Sequence, residues 1–413
     1  MQLRYRFRVE PTPAQRGMLE RTFGCCRVVF NDALARRKAD HDAGKAALSR
    51  SALQKAVITD AKRSPERAWL SEVSNVALVQ AHNDLLVAFP HFFSSARGTR
   101  AGKRVGFPRF RSRHDHRQTA RFTRNGFSIR PNGRLFLAKI GEVRVRWSRT
   151  LPTAPSSATI IKDAASRYFA SFVADAAPTV DAARLPDVEQ EIGVDVGLKA
   201  FAVLSDGKVI DAPKFLCRAE RKLRKAQQEL ARKKKGPHNR REQVATVARV
   251  HARVADARRD FHHQVSTQLI RENQTITVEN LNVAGMLRNR RLAKSVADAG
   301  WASFTSMLEY KAARYGRTLH KIDRYTPTTR QCSACGNLTG PTGQAQLGVR
   351  DWTCTTCGTR PHRDHNAAIN ILAAGRAERL NAFGEHVSLP RRGTGVKFDE
   401  PTQSTYHVRS LRR

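Results

Sequence analysis

The sequence predicts an α/β multidomain protein, and three patterns indicate this class. Apolar residues recur at three- and four-residue steps from Pro13 to about Pro90, which is typical of helices. Short alternating segments separated by turn residues run from Arg121 to about Ala174, which is typical of strands. From Glu191 onward, strand and helix patterns alternate. A chain of 413 residues has room for two to four domains.

The N-terminal half begins with Gln2–Glu10, which alternates like an edge strand and ends before Pro11. The following helical region contains Cys25 and Cys26, which have no second cysteine pair nearby, so we expect both in the core. The later short strands suggest a small barrel or sandwich, which the N-terminal strand can join if the helices are inserted between them. Residues 176–189 have the composition of a linker.

The charge balance points to a polyanionic partner. Lys and Arg number 74 against 36 acids, which gives a net charge of +38. Nucleic acid is the leading partner for such an excess. A membrane surface is disfavoured because no run reaches about 18 apolar residues. The charged N-terminus does not resemble a signal peptide, and four of the seven cysteines cluster, which favours a reducing compartment over a disulfide framework.

Two segments carry much of this positive charge. Residues 97–118 are dense in Arg, Lys and His, with Phe107 and Phe110 interleaved, and suggest a loop that grips a phosphate backbone. The two aromatic rings could stack on bases or anchor the loop, and a solvated basic loop is an equal alternative. Arg218–Arg241 contains eleven Lys or Arg and two acids, and a second helix is predicted over Asn239–Glu272. We favour a duplex-facing surface for this hairpin over a merely solvated one.

One short strand carries an unusual acid. In Glu191–Ala200, written EIGVDVGLKA, apolar residues alternate with Gly193, Asp195 and Gly197. A carboxylate facing a packed interior is costly unless something compensates it, and flanking glycines leave room for a metal and a phosphate backbone. A solvated Asp beside a turn is the alternative for this pattern taken alone.

Two later elements supply further acids. Gln274–Asn280 predicts a strand that ends with Glu279, which in isolation is more simply interpreted as solvated. A helix is predicted over Ser295–Tyr315 and a strand over Thr318–Ile322. Asp364 opens a helix and shares its face with the small and apolar residues that follow at three- and four-residue steps, although an ordinary N-cap explains it as well.

Four cysteines form the most specific motif that chemistry alone identifies. Two C-x2-C pairs are separated by eighteen residues, a spacing that supplies four thiolates in a tetrahedron around zinc. The ligands are Cys332, Cys335, Cys354 and Cys357. A closed four-cysteine shell leaves no position for water, so we expect structural zinc that stabilises a ribbon with little core of its own.

The acids Asp195, Glu279 and Asp364 lie 84 and 85 residues apart in the chain. A mixed sheet with helices on both faces would bring them together. Clustered carboxylates repel one another and any phosphate, and divalent cations reverse that field. Magnesium prefers hard oxygen ligands, and two ions roughly 4 Å apart can cut a phosphodiester. These acids are therefore the predicted catalytic residues and magnesium ligands.

The sequence resembles the TnpB (OrfB) family of transposon-encoded RNA-guided DNA endonucleases, which are related to type V CRISPR effectors. The similarity covers most of residues 190–373 and is looser in the N-terminal half, at FPRFRSR. It is carried by GVDVGLKAFAVLSDG, KKKGPHNRR, RRDFHHQVS, TVENLNVAGMLRNRRLAKSVADAGW, LEYKAARYG, TPTTRQCSACG, CTTCG and RDHNAAINIL. By motif, the three acids match the family's RuvC-type catalytic residues and the four cysteines match its zinc ribbon.

The resemblance implies an RNase H-like (RuvC) nuclease domain with an inserted zinc ribbon, and an N-terminal wedge-like β-barrel with an inserted helical recognition domain. It also implies a guide RNA from the transposon end as a cofactor, double-stranded DNA as the target, a monomer bound to RNA, and action in the bacterial cytoplasm at the nucleoid. The expected boundaries are 1–12 and 100–180 for the barrel, 13–99 for the recognition helices, 187–326 and 362–376 for the nuclease, 327–361 for the ribbon and 377–413 for a flexible tail.

Two positions depart from the family pattern. His362 stands where the family commonly has Asp, and His262-His263 stands where His-Lys is usual. Neither departure removes an expected metal ligand. Two other functions stay open at this point: an RNA-guided repressor that occupies DNA without cutting, and a transposase that joins DNA strands.

Overall fold

In the computed structural model the chain is described over residues 2–115, 117–175, 185–234, 236, 238–342, 346 and 348–382. It divides into two compact units. The first unit comprises Met1–Ala182 together with Leu223–Ala252. The second comprises Ala183–Lys222 together with Arg253–Arg413.

The first unit is built on a seven-stranded antiparallel sheet with the order β2-β6-β7-β1-β5-β4-β3. Its strands are β1 (Gln2–Glu10), β2 (Gln118–Thr123), β3 (Phe127–Ile129), β4 (Leu135–Leu137), β5 (Gly141–Arg146), β6 (Ser157–Lys162) and β7 (Tyr168–Asp175). The expectation that β1 is an edge strand is wrong, because β1 pairs with β7 on one side and β5 on the other. Alternation along a strand reports its two faces and carries no information about its edges.

The predicted barrel is present as a curled sheet. Its two edge strands, β2 and β3, are consecutive in the chain and are joined by the short turn Arg124–Gly126. The four Cα–Cα steps from Thr123 to Phe127 span about 14 Å at most, so the connected ends of the two edge strands must lie near each other. No ladder joins β2 to β3 within the described residues, and the sheet therefore curls without closing.

Three α-helices lie between β1 and β2, namely α1 (Pro13–Asp42), α2 (Arg50–Gln54) and α3 (Asn75–Ala96). Thr12 caps α1 in a reciprocal capping box with Gln15, and Pro13 supplies the fixed φ that suits a first helical turn. Cys25 and Cys26 are buried in the core, as predicted.

The basic segment between α3 and β2 is anchored at Phe107. Its ring meets Phe89 and Phe92 edge-on, with ring centroids 5.7 and 5.4 Å apart. Of the two roles predicted for the aromatic residues of this segment, Phe107 therefore serves the anchoring one, whereas Phe110 is 53% exposed.

The second unit contains the predicted mixed sheet, five strands in the order β10-β9-β8-β11-β12. The strands are β8 (Glu191–Val196), β9 (Ala200–Leu204), β10 (Val209–Asp211), β11 (Thr275–Glu279) and β12 (Thr318–Ile322). β8, β11 and β12 run parallel, and β9 and β10 return antiparallel.

Six helices follow β10 in the described chain: α4 (Phe215–Arg232), α5 (His238–Glu272), α6 (Val283–Met286), α7 (Ala293–Ala299), α8 (Trp301–Tyr315) and α9 (Arg363–Ala382). The single helix predicted over Ser295–Tyr315 is divided in two, because Gly300 takes a left-handed backbone with φ of 67°. No described helix is both long enough and apolar enough to cross a membrane.

Two predictions fall partly outside the described residues. Of the linker expected at 176–189, residues 176–184 are not described. Leu185 donates a backbone hydrogen bond to Tyr315, so the end of that segment belongs to the second unit. The predicted start of the flexible tail, residue 377, is too early, because α9 continues to Ala382. Residues 383–413, the rest of the expected tail, lie outside the described range.

Candidate active site and metal centre

Two of the three predicted acids lie at the same end of neighbouring parallel strands. Val194 of β8 pairs with Val278 of β11, and each valine is followed by an acid, Asp195 and Glu279 respectively. The carboxyl ends of parallel strands meet at one edge of a sheet, where α/β proteins commonly bind ligands. The register therefore places both side chains at one edge of the sheet, although they are 84 residues apart in sequence.

Two glycines let α9 approach this sheet at backbone distance. A Cβ at Gly193 would lie 2.1 Å from the carbonyl oxygen of Ala368, and a Cβ at Gly375 would lie 2.5 Å from Cγ2 of Thr277. Gly193 therefore leaves room for the helix, and the interpretation that it leaves room for a metal or phosphate is wrong. Gly197 is also tight, with a Cβ position 3.0 Å from the carbonyl oxygen of Ala200 across the β8–β9 turn.

The same close contact positions the third acid. Asp364 precedes Ala368 by four residues, about 6 Å along a helix, and Asp195 follows Gly193 by two residues, about 7 Å along a strand. Asp364 lies in the first turn of α9, as the sequence predicts. The helix start thus comes to the edge that carries Asp195 and Glu279.

The pKa of Asp195 reflects the proximity of the other two acids. The pKa of Asp195 is raised well above its ordinary value, first by burial and then by the negative charges of Glu279 and Asp364, with Arg363 opposing them. A carboxyl group responds in this way when removal from water and like charge both disfavour ionisation. Asp195 therefore lies within electrostatic range of both other acids.

Two of these carboxylates are held by neighbouring side chains. The Thr328 hydroxyl donates to Oε1 of Glu279 at 2.7 Å. Arg350 and Arg363 donate to Oδ1 of Asp364 at 3.0 and 3.1 Å. Sequence reasoning missed Thr328 and Arg350. Their one visible signal was their position in or beside the cysteine motif, which gives no contact partner.

The donor set suits a hard divalent cation, although the acids are more widely spaced than the cysteines. In the described part of the chain, one group of at least three potential ligand atoms has all of its members within 4.8 Å of one another. This group is the four cysteine sulfurs. The carboxylate oxygens of Asp195, Glu279 and Asp364 do not all lie within that distance. Their donor atoms are nevertheless of the kind that fits magnesium, which prefers oxygen ligands and retains water.

The four predicted cysteines form a cluster that could hold zinc. The Sγ atoms of Cys332 and Cys357 are 3.8 Å apart, and those of Cys335 and Cys354 are 3.6 Å apart. Tetrahedral zinc with Zn–S bonds of about 2.3 Å requires sulfur separations of about 3.8 Å. The spacing therefore fits this metal.

The environment of Cys354 favours the thiolate that zinc requires. Burial opposes ionisation, but hydrogen bonds from the Thr339 hydroxyl and from the backbone of Cys357 and Thr356 outweigh it and lower the pKa of Cys354 to about 6. The Thr339 hydroxyl lies 3.1 Å from Sγ of Cys354. The thiolate is the form of cysteine that binds a metal, and the lowered pKa favours this form at Cys354.

Helix α9 also holds the segment that enters the cysteine cluster. The side chain of Asn366 donates to the carbonyl of Gln331 at 2.7 Å, and that of Asn370 donates to the carbonyl of Thr328 at 2.8 Å. Asn366 in turn accepts from the backbone of Ser333 at 2.7 Å. One helix therefore carries Asp364 and fixes the base of the cysteine-bearing segment.

The departure at His262 lies in the core of the second unit. His262 is buried, stacks on Phe201 with ring centroids 5.5 Å apart, and contacts the carbonyl of Ala299 at 2.9 Å. Burial lowers the pKa of His262. It is a core residue of the second unit.

Comparison with protein-family models gives three matches. A model described as a probable transposase (OrfB_IS605) matches residues 175–290, and one described as a Cas12f1-like TNB domain matches residues 301–371. A third, described as a helix-turn-helix domain, matches residues 1–46, where the structure has β1 and the single long helix α1.

Comparison with curated proteins gives relatives that extend over nearly the whole chain. A protein of Streptomyces pristinaespiralis named "Putative RNA-guided DNA endonuclease" is 43% identical over 98% of this chain and 98% of its own length. A protein of Escherichia coli (strain K12) named "Putative RNA-guided DNA endonuclease InsQ" is 30% identical over 97% of each chain. Among solved structures, a Cas12f1–sgRNA–target DNA complex is matched with a TM-score of 0.35 and 14% identity, over 90% of this chain and 99% of that one.

Proposed function

Because the chain belongs to the TnpB (OrfB) family of transposon-encoded RNA-guided DNA endonucleases, we propose that it cuts DNA at sites selected by a bound guide RNA. The observation that carries the proposal is the convergence of Asp195, Glu279 and Asp364 on one sheet edge, recorded in the raised pKa of Asp195. In this arrangement base pairing reads the target sequence, and protein charge holds the backbone of the hybrid.

The second unit is the proposed nuclease. Its parallel β8-β11-β12 pairing with antiparallel β9 and β10 supports an RNase H-like (RuvC) domain over 187–326 and 362–376. The cysteine cluster supports a zinc ribbon inserted at 327–361. The curled sheet supports a wedge-like barrel over 1–12 and 100–180, with recognition helices over 13–99.

The three acids are the proposed magnesium ligands. Bound by these acids, magnesium would supply Lewis-acid activation of a water and stabilisation of the leaving oxygen, and hydrolysis would leave a 3′-hydroxyl and a 5′-phosphate. Asp195 and Glu279 present their carboxylates from rigid strand ends, and α9 brings Asp364 to the same edge. Thr328 fixes the orientation of Glu279 through its hydroxyl, and Arg350 and Arg363 hold Asp364.

The positive charge supports the proposed partners. A net charge of +38 suits a guide RNA and a DNA target together. The basic helices α4 and α5 are proposed to line the path of the nucleic acid. A monomer bound to RNA, acting in the bacterial cytoplasm, is the proposed functional form.

The experiment compares the purified RNA–protein complex with its Asp195→Asn variant. Asn keeps the shape of the side chain and removes its charge. With magnesium and a library of guide-matched DNA, we expect the native complex to cut and the variant to bind the same DNA without cutting. Full cutting by the variant would overturn the assigned site.

Two other outcomes would replace the proposal. Occupancy of guide-matched DNA by the native complex without any cutting would indicate an RNA-guided repressor. Joining of transposon ends in the absence of RNA would indicate a strand-transferring transposase, which can use the same acids and metals.

A further inference from the structure

An arginine-lined cavity lies in the first unit, separate from the acids and the cysteines. Its volume is about 400 Å³, and five arginines line it against two aspartates. The arginines are Arg4 of β1, Arg27 of α1, Arg111 and Arg117 of the segment before β2, and Arg121 of β2. This volume lies in the range of about 300–1,000 Å³ that is typical of ligand sites.

The sheet register explains why these guanidinium groups converge. Arg121 pairs with Thr159, Thr159 with Ser171, and Ser171 with Arg6. Directly paired residues project to the same face, and Arg4 shares that face with Arg6 because side chains alternate with period two. The opposite face carries buried core residues such as Phe122. Arginines from separate strands are thus collected on one polar face.

The wall of the cavity is fixed before any ligand arrives. Asn31 binds Arg111 in both directions, accepting from its backbone N–H at 2.8 Å and donating to its carbonyl at 2.9 Å. The guanidinium of Arg111 lies 3.8 Å from the ring centroid of Phe30. Asp84 accepts from Arg111 at 3.4 Å and from Arg121 at 2.7 Å. Such preorganisation lowers the cost of ordering side chains on binding.

Positive charge in the cavity is left uncompensated. The Nε atom of Arg121 is buried and has no hydrogen-bond partner within the described part of the protein. Arg4, Arg27 and Arg117 make no ion pair with any described carboxylate. An anion in the cavity would give the buried Nε of Arg121 an acceptor and would pair with the unpaired arginines, two of which, Arg4 and Arg117, are exposed.

We propose that this cavity binds a phosphate group of a nucleic-acid strand. The planar guanidinium fork matches phosphate oxygens, often in bidentate fashion. The cavity is open to solvent, because its lining residues Arg4, Asp115 and Arg117 are exposed. A phosphate on the backbone of a strand can therefore reach the guanidinium groups. The nucleic-acid identity of the ligand rests on the proposed function.

The test uses the double variant Arg4→Gln/Arg27→Gln in the full chain. Neither arginine forms an ion pair with a described acid, so replacing both leaves no carboxylate without its cation. Arg63→Gln/Arg134→Gln is the matched control, because both residues are exposed in the same unit, lie outside the cavity, and give the same net charge on substitution. The affinity for the guide RNA and for single-stranded DNA is measured by fluorescence anisotropy over a range of salt concentrations.

Each lost phosphate contact should lower the slope of log affinity against log salt by about 0.7 for a single strand. Because the cavity binds one phosphate, we expect the slope of the cavity variant to fall by about 0.7 and that of the control by clearly less. A change confined to RNA assigns the phosphate to the guide, and a change confined to DNA assigns it to the target. Equal slopes for cavity variant and control in both arms would overturn the inference.

A second variant guards against misfolding. Arg27→Lys keeps the charge and loses the fork, so we expect weaker binding, by about threefold to tenfold, with an unchanged slope. Neither binding measurement depends on DNA cutting, so the result for the cavity can be judged separately from the result for the proposed nuclease. A native complex that cuts while the slopes do not change rejects the cavity alone. A native protein that never cuts while the slopes do change rejects the proposed nuclease alone.

Discussion

The hydroxyl of Thr328 donates to Oε1 of Glu279 at 2.7 Å across a sequence separation of 49 residues. The backbone carbonyl of Thr328 accepts from Asn370 of α9 at 2.8 Å. Thr328 therefore connects one predicted metal ligand, Glu279, to the helix that carries another, Asp364. The same residue lies four positions before Cys332, so the cysteine cluster and the acids share one short structural link.

Replacing Thr328 with Val should weaken DNA cutting while leaving guide RNA bound. Val keeps the branched shape but cannot donate to Glu279, and a hydrogen bond to a charged group contributes about 1.5–3 kcal/mol. We expect a loss of about tenfold or more in the single-turnover cutting rate, together with a shift to higher magnesium concentration. Thr328→Ser restores the hydroxyl and should recover most of the rate. Equal magnesium dependence in the Val variant and the native protein would show that this contact is unimportant.

The elements that carry the three acids could be predicted from the sequence, but the contacts that hold these side chains could not. Asp195 and Glu279 follow alternating strand patterns, and the pairing of Val194 with Val278 then brings them together. Thr328 and Arg350 reach their acids across 49 and 14 residues. No local pattern marks such a partner, because side-chain hydrogen bonds between distant residues depend on the finished packing.

The two faces and the edges of strands were not equally predictable. The alternation in β1 correctly predicts a strand with one buried face, yet it does not reveal that both edges are paired. Gly193 was equally ambiguous. A glycine two residues before an acid fits a metal site, and only the position of Ala368 shows that the missing Cβ leaves room for a helix.

Replacing Gly193 with Ala should destabilise the second unit strongly. The new Cβ would lie 2.1 Å from the carbonyl oxygen of Ala368, and backbone atoms on both sides cannot move without separating α9 from the sheet. Overpacking of this kind costs about 3 kcal/mol or more. Gly348→Ala is the control in the same unit, because no atom lies within 4 Å of its Cβ position. Urea unfolding should show a large loss for the first variant and little change for the second, and similar midpoints for both would contradict the packing argument.

Replacing Cys354 with Ser should abolish zinc binding and lower thermal stability. Ser cannot supply the thiolate that the lowered pKa of Cys354 favours, and zinc sites of four cysteines contribute directly to folding. Cys217→Ser is the matched control, since Cys217 is exposed and lies outside the cluster. Elemental analysis should find zinc in the control and not in the Cys354 variant. Retention of zinc by the Cys354 variant would mean that the four sulfurs are not the ligand set.

Lys311 should make the stability of the second unit depend on pH in the alkaline range. It is 5% exposed, and its ammonium group donates to the carbonyl of His263 and to the hydroxyls of Ser266 and Thr267, at 2.9, 2.7 and 2.7 Å. Burial lowers the pKa of Lys311 from 10.5 to about 8. Between these two values the unfolded chain binds more protons than the folded one, so stability should rise with pH.

The variant Lys311→Met isolates this effect from the change in the charge of the whole protein. The penalty for burying the ammonium is fully present below about pH 8 and falls as the native group loses its proton. The difference in unfolding free energy between the Met variant and the native protein should therefore shift, in favour of the native protein, by on the order of 1 to 2 kcal/mol from pH 8 to 9.5. Urea unfolding followed through Trp301, which is buried in the same helix, measures it. A difference that stays constant across this range would show that Lys311 keeps an ordinary pKa in the folded protein.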